Sequence, residues 1–139
     1  MSIAIDQGIY ETLRDNAGVA ALVAGRIYPG SAPEEAASPY IVYALTESDE
    51  PRSLDGSVRY RRFRYTIACH DDVYDDVVAV VDAVYAAFGG DNATTKTFGP
   101  FTCVCRWDEA PSNKRKSPDV DRLRNAGELD LWVMVKRET

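Results

Sequence analysis

The sequence of 139 residues is poor in the residue types from which metal sites, disulfide frameworks and membrane spans are built. It contains one histidine and three cysteines, and no apolar run approaches the roughly 18 residues of a membrane-spanning helix. The first residues, MSIAIDQGIYETLRD, have acidic side chains where a secretory signal peptide would have basic ones. We therefore expect a protein made in the cytoplasm, without a signal peptide and without membrane contact.

The three cysteines are poorly spaced for a four-ligand metal site. Cys103 and Cys105 alternate with other residues in an apolar run, and Cys69 and His70 lie far from them in sequence. Side chains two positions apart on a strand share one face, whereas a structural zinc ion needs four ligands at characteristic spacings. The pattern favours reduced thiols in the core over a metal site.

Sequence motifs of catalysis are also missing. No Gly-x-Ser-x-Gly elbow, glycine-rich phosphate loop or dinucleotide fingerprint occurs. We interpret His70 as part of a strand-to-helix junction in preference to a general base. The four acidic residues between Asp71 and Asp76 suit the positive end of a helix dipole, and a divalent cation is the alternative interpretation. We expect no enzymatic activity, no cofactor and no metal.

The apolar content, 45% of the chain, is sufficient for one globular core, so residues 1–139 are predicted to form a single domain. Periodicity predicts main helices over residues 3–15 and 71–88, with a short helical turn at 19–24. A brief strand is predicted near Arg26-Ile27-Tyr28, just before a segment rich in proline and glycine.

Alternating patterns predict the sheet. The predicted strands are residues 40–47, 58–69, 101–109 and 126–137, separated by long loops at about 48–57 and 110–125. The order of elements is therefore α-β-β-α-β-β plus the brief strand. The predicted fold class is α+β, a two-layer domain in which a four-stranded, mainly antiparallel sheet has two main helices on one face.

The second face of such a sheet has no helix to cover it. Arg62 and Arg64 make it polar on one strand, whereas Trp132 and Met134 place large apolar side chains on it from another. Tryptophan, methionine and arginine together are typical of protein interfaces. We predict that another subunit covers this surface, and a flap formed by residues 29–39 is the alternative.

Charge is unevenly distributed along a chain whose formal net charge is −6. Basic side chains cluster around the two long loops, whereas residues 71–91 contain six acids and no lysine or arginine. Head-to-tail docking of copies is the favoured interpretation, ahead of solvated loops and then DNA binding. The candidate interface residues are Arg52, Arg59, Arg62, Arg64, Lys114, Arg115, Lys116, Arg122, Arg124, Trp132 and Met134.

The order of short motifs in the first two thirds of the chain resembles the tail-completion, or tail-terminator, family of tailed bacteriophages, which join tail to head. The matching segments are IYETL at 9–13, VAALV at 19–23, GRIYP at 25–29, Pro33, SPYIVY at 38–43, SLDG at 53–56, the arginine-rich strand and the helix at 75–88. The resemblance implies a structural role for the motif positions Arg26, Tyr28, Pro33 and Tyr40, and no catalytic residue.

The resemblance also implies a structural virion protein of the neck and tail, assembled in the host bacterial cytoplasm. Such proteins commonly form a hexameric ring that caps the head-proximal end of the tail tube, stops tube polymerisation and joins the tail to the head connector. The implied partners are further copies of the chain, the tail tube protein and the connector or stopper protein. Genomic DNA would pass through the lumen without specific binding. Alternatives are another neck component, such as a stopper or adaptor, and a non-catalytic oligomeric nucleic-acid-binding module.

Overall fold

A computed structural model of the chain describes residues 2–33, 35–37, 39–49, 60–71, 74–108, 115–119 and 124–136. This part of the chain contains three helices and seven strands. In chain order they are α1 (Ser2–Asp15), α2 (Ala17–Val23), β1 (Ile27–Pro29), β2 (Tyr40–Asp49), β3 (Tyr60–Asp71), α3 (Tyr74–Ala87), β4 (Thr94–Phe98), β5 (Phe101–Trp107), β6 (Arg115–Asp119) and β7 (Arg124–Lys136). None of the described helices is long and apolar enough to cross a membrane.

The described strands form one mixed, curled sheet. Six of them follow the order β1-β2-β3-β7-β5-β4, and β6 also pairs with β7. β1 is parallel to β2, and the other pairings are antiparallel. β7 pairs with β3 along one edge, whereas its other edge pairs with β6 over residues 124–128 and with β5 over residues 131–135. The longest strand therefore holds together three others.

The predicted four-stranded, mainly antiparallel, two-layer sheet with two main helices is wrong. The four predicted strands correspond to β2, β3, β5 and β7, but the sheet also includes the parallel strand β1 and the strands β4 and β6. β4 has the sequence TTKTF, in which only Phe98 is buried, so it lacks the apolar alternation by which strands are recognised. β6 lies inside the predicted polar loop at 110–125 and pairs through its backbone.

The helix at 17–23 is separate from α1 because Asn16 caps it. The Asn16 side-chain oxygen accepts a hydrogen bond from the Val19 backbone N–H at 3.1 Å. An asparagine in this position satisfies an N–H group that has no partner within the helix. At the other end Ala24 adopts a left-handed conformation with φ 50°, and α2 stops. The chain thus has a third helix where the sequence predicted only a short turn.

The core lies between the three helices and one face of the sheet. Each helix contributes an apolar stripe, and each long strand contributes every second residue. From the helices the core includes Ile5, Ile9, Leu13, Val19, Val23, Val77, Val80, Val81 and Val84, and Phe88 follows directly after α3. From β3 and β7 it includes Phe63, Tyr65, Ile67, Cys69, Leu129, Leu131, Val133 and Val135.

A polar contact joins α1 to the middle of the sheet. The Tyr65 hydroxyl, inside the core, donates a hydrogen bond to the Asp6 carboxylate. Burial, followed by this hydrogen bond, raises the pKa of Tyr65 well above its usual value. The hydroxyl group therefore keeps its proton and fixes the position of α1 over β3.

Helix α3 crosses β7 at Gly127 with no room for a side chain. A Cβ atom placed on Gly127 would lie 2.8 Å from Val81 Cγ2 and 3.1 Å from Val77 Cγ1. Both neighbours are β-branched residues with little freedom at χ1, so neither can easily move aside. The glycine thereby sets the distance between α3 and the sheet.

We expect Gly127→Ala to lower the free energy of unfolding by about 1–3 kcal/mol, because the added methyl group overpacks this crossing. Gly18→Ala is the matched control, since Gly18 is exposed and its nearest contacts would be Asn16 Oδ1 at 3.3 Å and Ala83 Cβ at 3.9 Å. The control should change stability by less than about 0.5 kcal/mol. Urea unfolding of both variants measures this, and equal losses would contradict the close approach.

Cys69, Cys103 and Cys105 are free thiols, and all three are buried in the core as predicted. Burial raises the pKa of Cys69 to about 12, that of Cys103 to about 11 and that of Cys105 to about 12. Among the described residues, no group of three or more His, Cys, Asp or Glu could hold a metal ion.

The raised thiol pKa values predict both reactivity and pH dependence. At pH 8 a thiol reagent should modify the folded protein at least roughly a hundredfold more slowly than the urea-unfolded chain, because only the thiolate reacts.

Since each pKa is raised on folding, the thiols favour the folded state fully below pH 9 and lose this effect as pH rises towards 12. The urea midpoint should therefore fall less steeply above pH 9 in Cys69→Ala than in the wild type. Identical slopes would contradict a contribution from Cys69.

Candidate interaction surface on the open face of the sheet

Alternation along the strands decides which side chains occupy the face that no described helix covers. Because Leu131, Val133 and Val135 point into the core, Trp132 and Met134 point to the opposite side. The residues aligned with them in the neighbouring strands share this side. We call the surface the open face and define it by Glu47, Asp49, Arg62, Arg64, Thr66, Val104, Arg106, Asp108, Glu128, Asp130, Trp132 and Met134.

Trp132 lies at the centre of the open face between two arginines. The guanidinium carbons of Arg62 and Arg64 are 5.1 and 5.4 Å from the centroid of its ring. Its indole N–H donates to Asp108 Oδ1 at 3.3 Å. Cations at this distance from an aromatic ring are attracted to its π face, so the two arginines hold the indole in place.

Carboxylates in turn hold both arginines. Arg62 donates two hydrogen bonds to Asp49, at 2.9 and 2.6 Å, and this pairing lowers the pKa of Asp49. Arg64 Nη2 donates to Asp130 at 2.7 Å and to Asp108 at 3.3 Å, and its Nη1 lies 3.6 Å from Glu47. The two positive charges are therefore compensated within the chain.

A β-bulge in β2 makes this compensation possible. The register of β2 against β3 shifts between Leu45 and Glu47, so that Glu47 aligns with Arg64 and Asp49 with Arg62. Without the extra residue, strict alternation would place Thr46 and Ser48 on the open face instead. The bulge thus moves two carboxylates from the other side of the strand onto the arginines.

The charge of the open face is consequently not positive. Its described residues include three arginines and five carboxylates. The contact role of the basic residues around the two long loops stays a prediction. Arg62 and Arg64 are both half-buried, and they act as supports for Trp132.

Arg106 differs from the other two arginines of the open face. It is exposed on β5, directly opposite Trp132, and makes no ion pair with another described residue. Together with Trp132 and Met134 it lines a shallow pocket whose other side is formed by Arg62 and Asp108. The sequence prediction missed Arg106, although its alternation with Cys103 and Cys105 was a signal that it points away from the core.

The motif positions in the first part of the chain lie together at the β1 end of the sheet. Arg26 Nε donates to the Pro39 carbonyl at 2.8 Å, which ties the start of β1 to the residue before β2. Tyr28 contacts Tyr40 edge to face at 6.1 Å, and Tyr40 stacks on His70 at 4.8 Å. These contacts agree with a structural role for Arg26, Tyr28 and Tyr40.

Two further residues considered in the sequence analysis, Pro33 and His70, also make local contacts. Pro33 closes a turn by accepting a hydrogen bond from the Ala36 N–H at 3.0 Å. His70 lies within β3, stacked on Tyr40, and so belongs to the end of a strand.

The structure brings together only some of the candidate interface residues. Arg62, Arg64, Trp132 and Met134 form one surface, as described above. Arg115, Lys116 and Arg124 lie on the paired backbones of β6 and β7, and their side chains stay outside the description. The remaining candidates, Arg52, Arg59, Lys114 and Arg122, lie outside the described residues. Their role at an interface stays a prediction.

Replacing Arg62 and Arg64 one at a time should lower the free energy of unfolding by unequal amounts. The Asp130 side chain is only 10% exposed and accepts from Arg64 and from Thr66 Oγ1 at 2.8 Å. Arg64→Ala should therefore lower the free energy of unfolding by about 1–3 kcal/mol, because the largely buried carboxylate of Asp130 loses one hydrogen-bond donor. Arg62→Ala is the matched control, as it breaks a pair with an exposed partner and should cost at most about 1 kcal/mol. Equal losses in thermal or urea unfolding would contradict the central role of Asp130.

Comparison with known proteins gives one family and several similar folds. A family model described as tail completion protein gp17 matches residues 7–118. A solved structure of the virion of a native gene transfer agent particle contains a chain with 18% identity and a TM-score of 0.74, covering 98% of this chain and 97% of that one. Another solved structure has 15% identity and a TM-score of 0.64, covering 100% of this chain and 98% of its own. No curated protein matches the sequence significantly.

Proposed function

Because the chain belongs to the tail completion protein gp17 family, we propose that it forms a ring that caps the head-proximal end of a phage tail tube. Family membership makes it a structural protein of the phage tail and places it in the virion, as predicted from the sequence. Proteins of this kind are generally not enzymes. The ring, its hexameric state and its action on tube growth are the proposed part.

The observation that most supports a ring is the open face. Trp132, Met134 and Val104 form an apolar area next to Arg106, on a sheet that the described helices cover from the other side only. Mixed aromatic, methionine and arginine surfaces suit protein contacts. Because the front of the molecule is a sheet and the back is helical, two copies can meet front to back. Contacts of this heterologous kind form a closed ring when the rotation between copies closes.

The ring accounts for the end of tube growth. One rim of the ring would bind the last ring of tail tube protein, and the other would differ from it, so that no further tube subunit could add. That second rim would bind the head connector or stopper protein. The net charge of −6 suits a lumen through which DNA passes without being held, because phosphates are repelled by acidic side chains.

DNA binding as the main function receives no support from the open face. Its arginines are outnumbered by carboxylates, and two of the three are already paired. Nucleic-acid surfaces instead present unpaired basic groups to phosphate oxygens.

Trp132→Ala should abolish self-association while leaving the monomer folded, because the indole is only half-buried and lies outside the core. Light scattering coupled to size exclusion, over a range of protein concentrations, measures the mass. The control is Ile3→Ala, since Ile3 is 80% exposed on α1, far from the open face. Association that persists unchanged in Trp132→Ala would count against this interface.

The function itself is tested in the particle. Deleting the gene should give tails of uncontrolled length that do not join heads, as seen by electron microscopy. Wild-type protein supplied in trans should restore tails of one length, and Trp132→Ala should not. Normal, head-joined tails in the deletion strain would refute a terminating role.

A further inference from the structure

Strand β5 places neighbouring residues on the front and the back of the sheet. Arg106 points to the open face, and the next residue, Trp107, points into the core. The Trp107 indole N–H donates to the Tyr85 carbonyl of α3 at 2.9 Å, and its ring also contacts Phe88. The last turn of α3 therefore contacts β5 next to Arg106, whereas the rest of the helix crosses β7 and β3.

The described outer side of α3 has small side chains around one carboxylate, Asp82. Its exposed residues Ala79, Asp82 and Ala86 follow each other at three- and four-residue steps, so Asp82 is flanked by two small side chains. The segment of residues 71–91, which contains α3, has six acids and no basic residue. A second molecule could approach this side of α3 closely and would meet negative charge.

Arg106 offers the complementary charge. Unlike Arg62 and Arg64, it makes no ion pair with another described residue, and it stands at the edge of the apolar area formed by Trp132 and Met134. A guanidinium group beside a half-buried tryptophan is typical of the residues that dominate binding at interfaces. Since no described carboxylate pairs with Arg106, its guanidinium group can pair with an acid of another molecule.

We propose that the outer side of α3 in one copy docks on the open face of the next, with Asp82 facing Arg106 and the helix seated against Trp132. This proposal rests on the proposed ring and specifies its subunit contact. The two surfaces of the contact, the open face and the outer side of α3, lie on opposite sides of each molecule. Each copy can thus repeat the same contact with the next, as a ring requires.

Charge reversal tests the pairing in the full-length protein. Arg106→Glu and Asp82→Lys should each weaken self-association at least about tenfold, since like charges would then face each other. The double variant should return to within about threefold of the wild type, because the pair is restored with its signs exchanged. Arg14→Glu, at an exposed arginine of α1, is the control and should associate normally. Sedimentation velocity at roughly 0.1 M salt measures the four variants and the wild type.

Two outcomes would overturn the pairing. Normal association of Arg106→Glu would show that Arg106 is outside the contact. Impaired single variants without rescue in the double variant would show that Arg106 faces a group other than Asp82 in the neighbouring copy.

Cross-linking in assembled particles separates failure of this contact from failure of the ring. Asp82→Cys and Arg106→Cys, combined in one chain, should give a ladder of linked copies on a non-reducing gel after mild oxidation, and either single variant should not. The native cysteines are buried and do not interfere. Particles that contain the protein but give no ladder would refute the contact alone. Particles that lack the protein would refute the proposed function.

Discussion

The strict alternation of side chains along β7 is the constraint on which the molecule depends. Burying Leu131, Val133 and Val135 under the helices obliges Trp132 and Met134 to face the other way. Because successive side chains of a strand point to opposite sides of the sheet, the residues that form one face also determine which residues form the other. The same 13-residue strand pairs with β3, β5 and β6, so it aligns the side chains of its neighbours on both faces. Core and interaction surface are thus two consequences of one pattern.

The open face is organised by charge compensation as well as by alternation. Arg62 and Arg64 stack on Trp132, but each is tied to a carboxylate of another strand. The bulge in β2 supplies two of these carboxylates by shifting Glu47 and Asp49 to the same side. A tryptophan held in this way loses little conformational freedom on binding, which favours it as a rigid point of contact. The arrangement suits association with protein better than association with phosphate.

The difference between the two sides of the molecule fits the biology of its family. Under the proposed function, the protein would end a polymer of repeating subunits, which requires that the two rims of the proposed ring differ. The sheet on one side and the three described helices on the other would give each copy unlike surfaces for its two neighbours in that ring. The close crossing of α3 over Gly127 places that helix immediately behind the sheet, which keeps the two surfaces in a fixed relation.

The sequence predicted a part of this fold for a clear reason. Strands β3, β5 and β7 have apolar residues at every second position, and β2 begins with a continuous apolar run over residues 40–45. Helices α1 and α3 have apolar residues at three- and four-residue steps. Strand β4 could not be recognised, because among its residues Thr94 to Phe98 only the phenylalanine is buried. The sequence predicts only a short turn in place of α2, because the separation of this helix from α1 depends on the Asn16 cap, a single local hydrogen bond.

By itself, the sequence determined which side chains share a face and the family of tail proteins to which the order of motifs belongs. Only the tertiary structure decided the charge of the open face. The partners of Arg62 and Arg64 are 13 and 66 residues away, and a one-residue bulge selects which carboxylates meet them. Arg106 gained its place beside Trp132 from the register of β5 against β7. Local periodicity specifies orientation, whereas pairing across a sheet depends on register, which no short segment encodes.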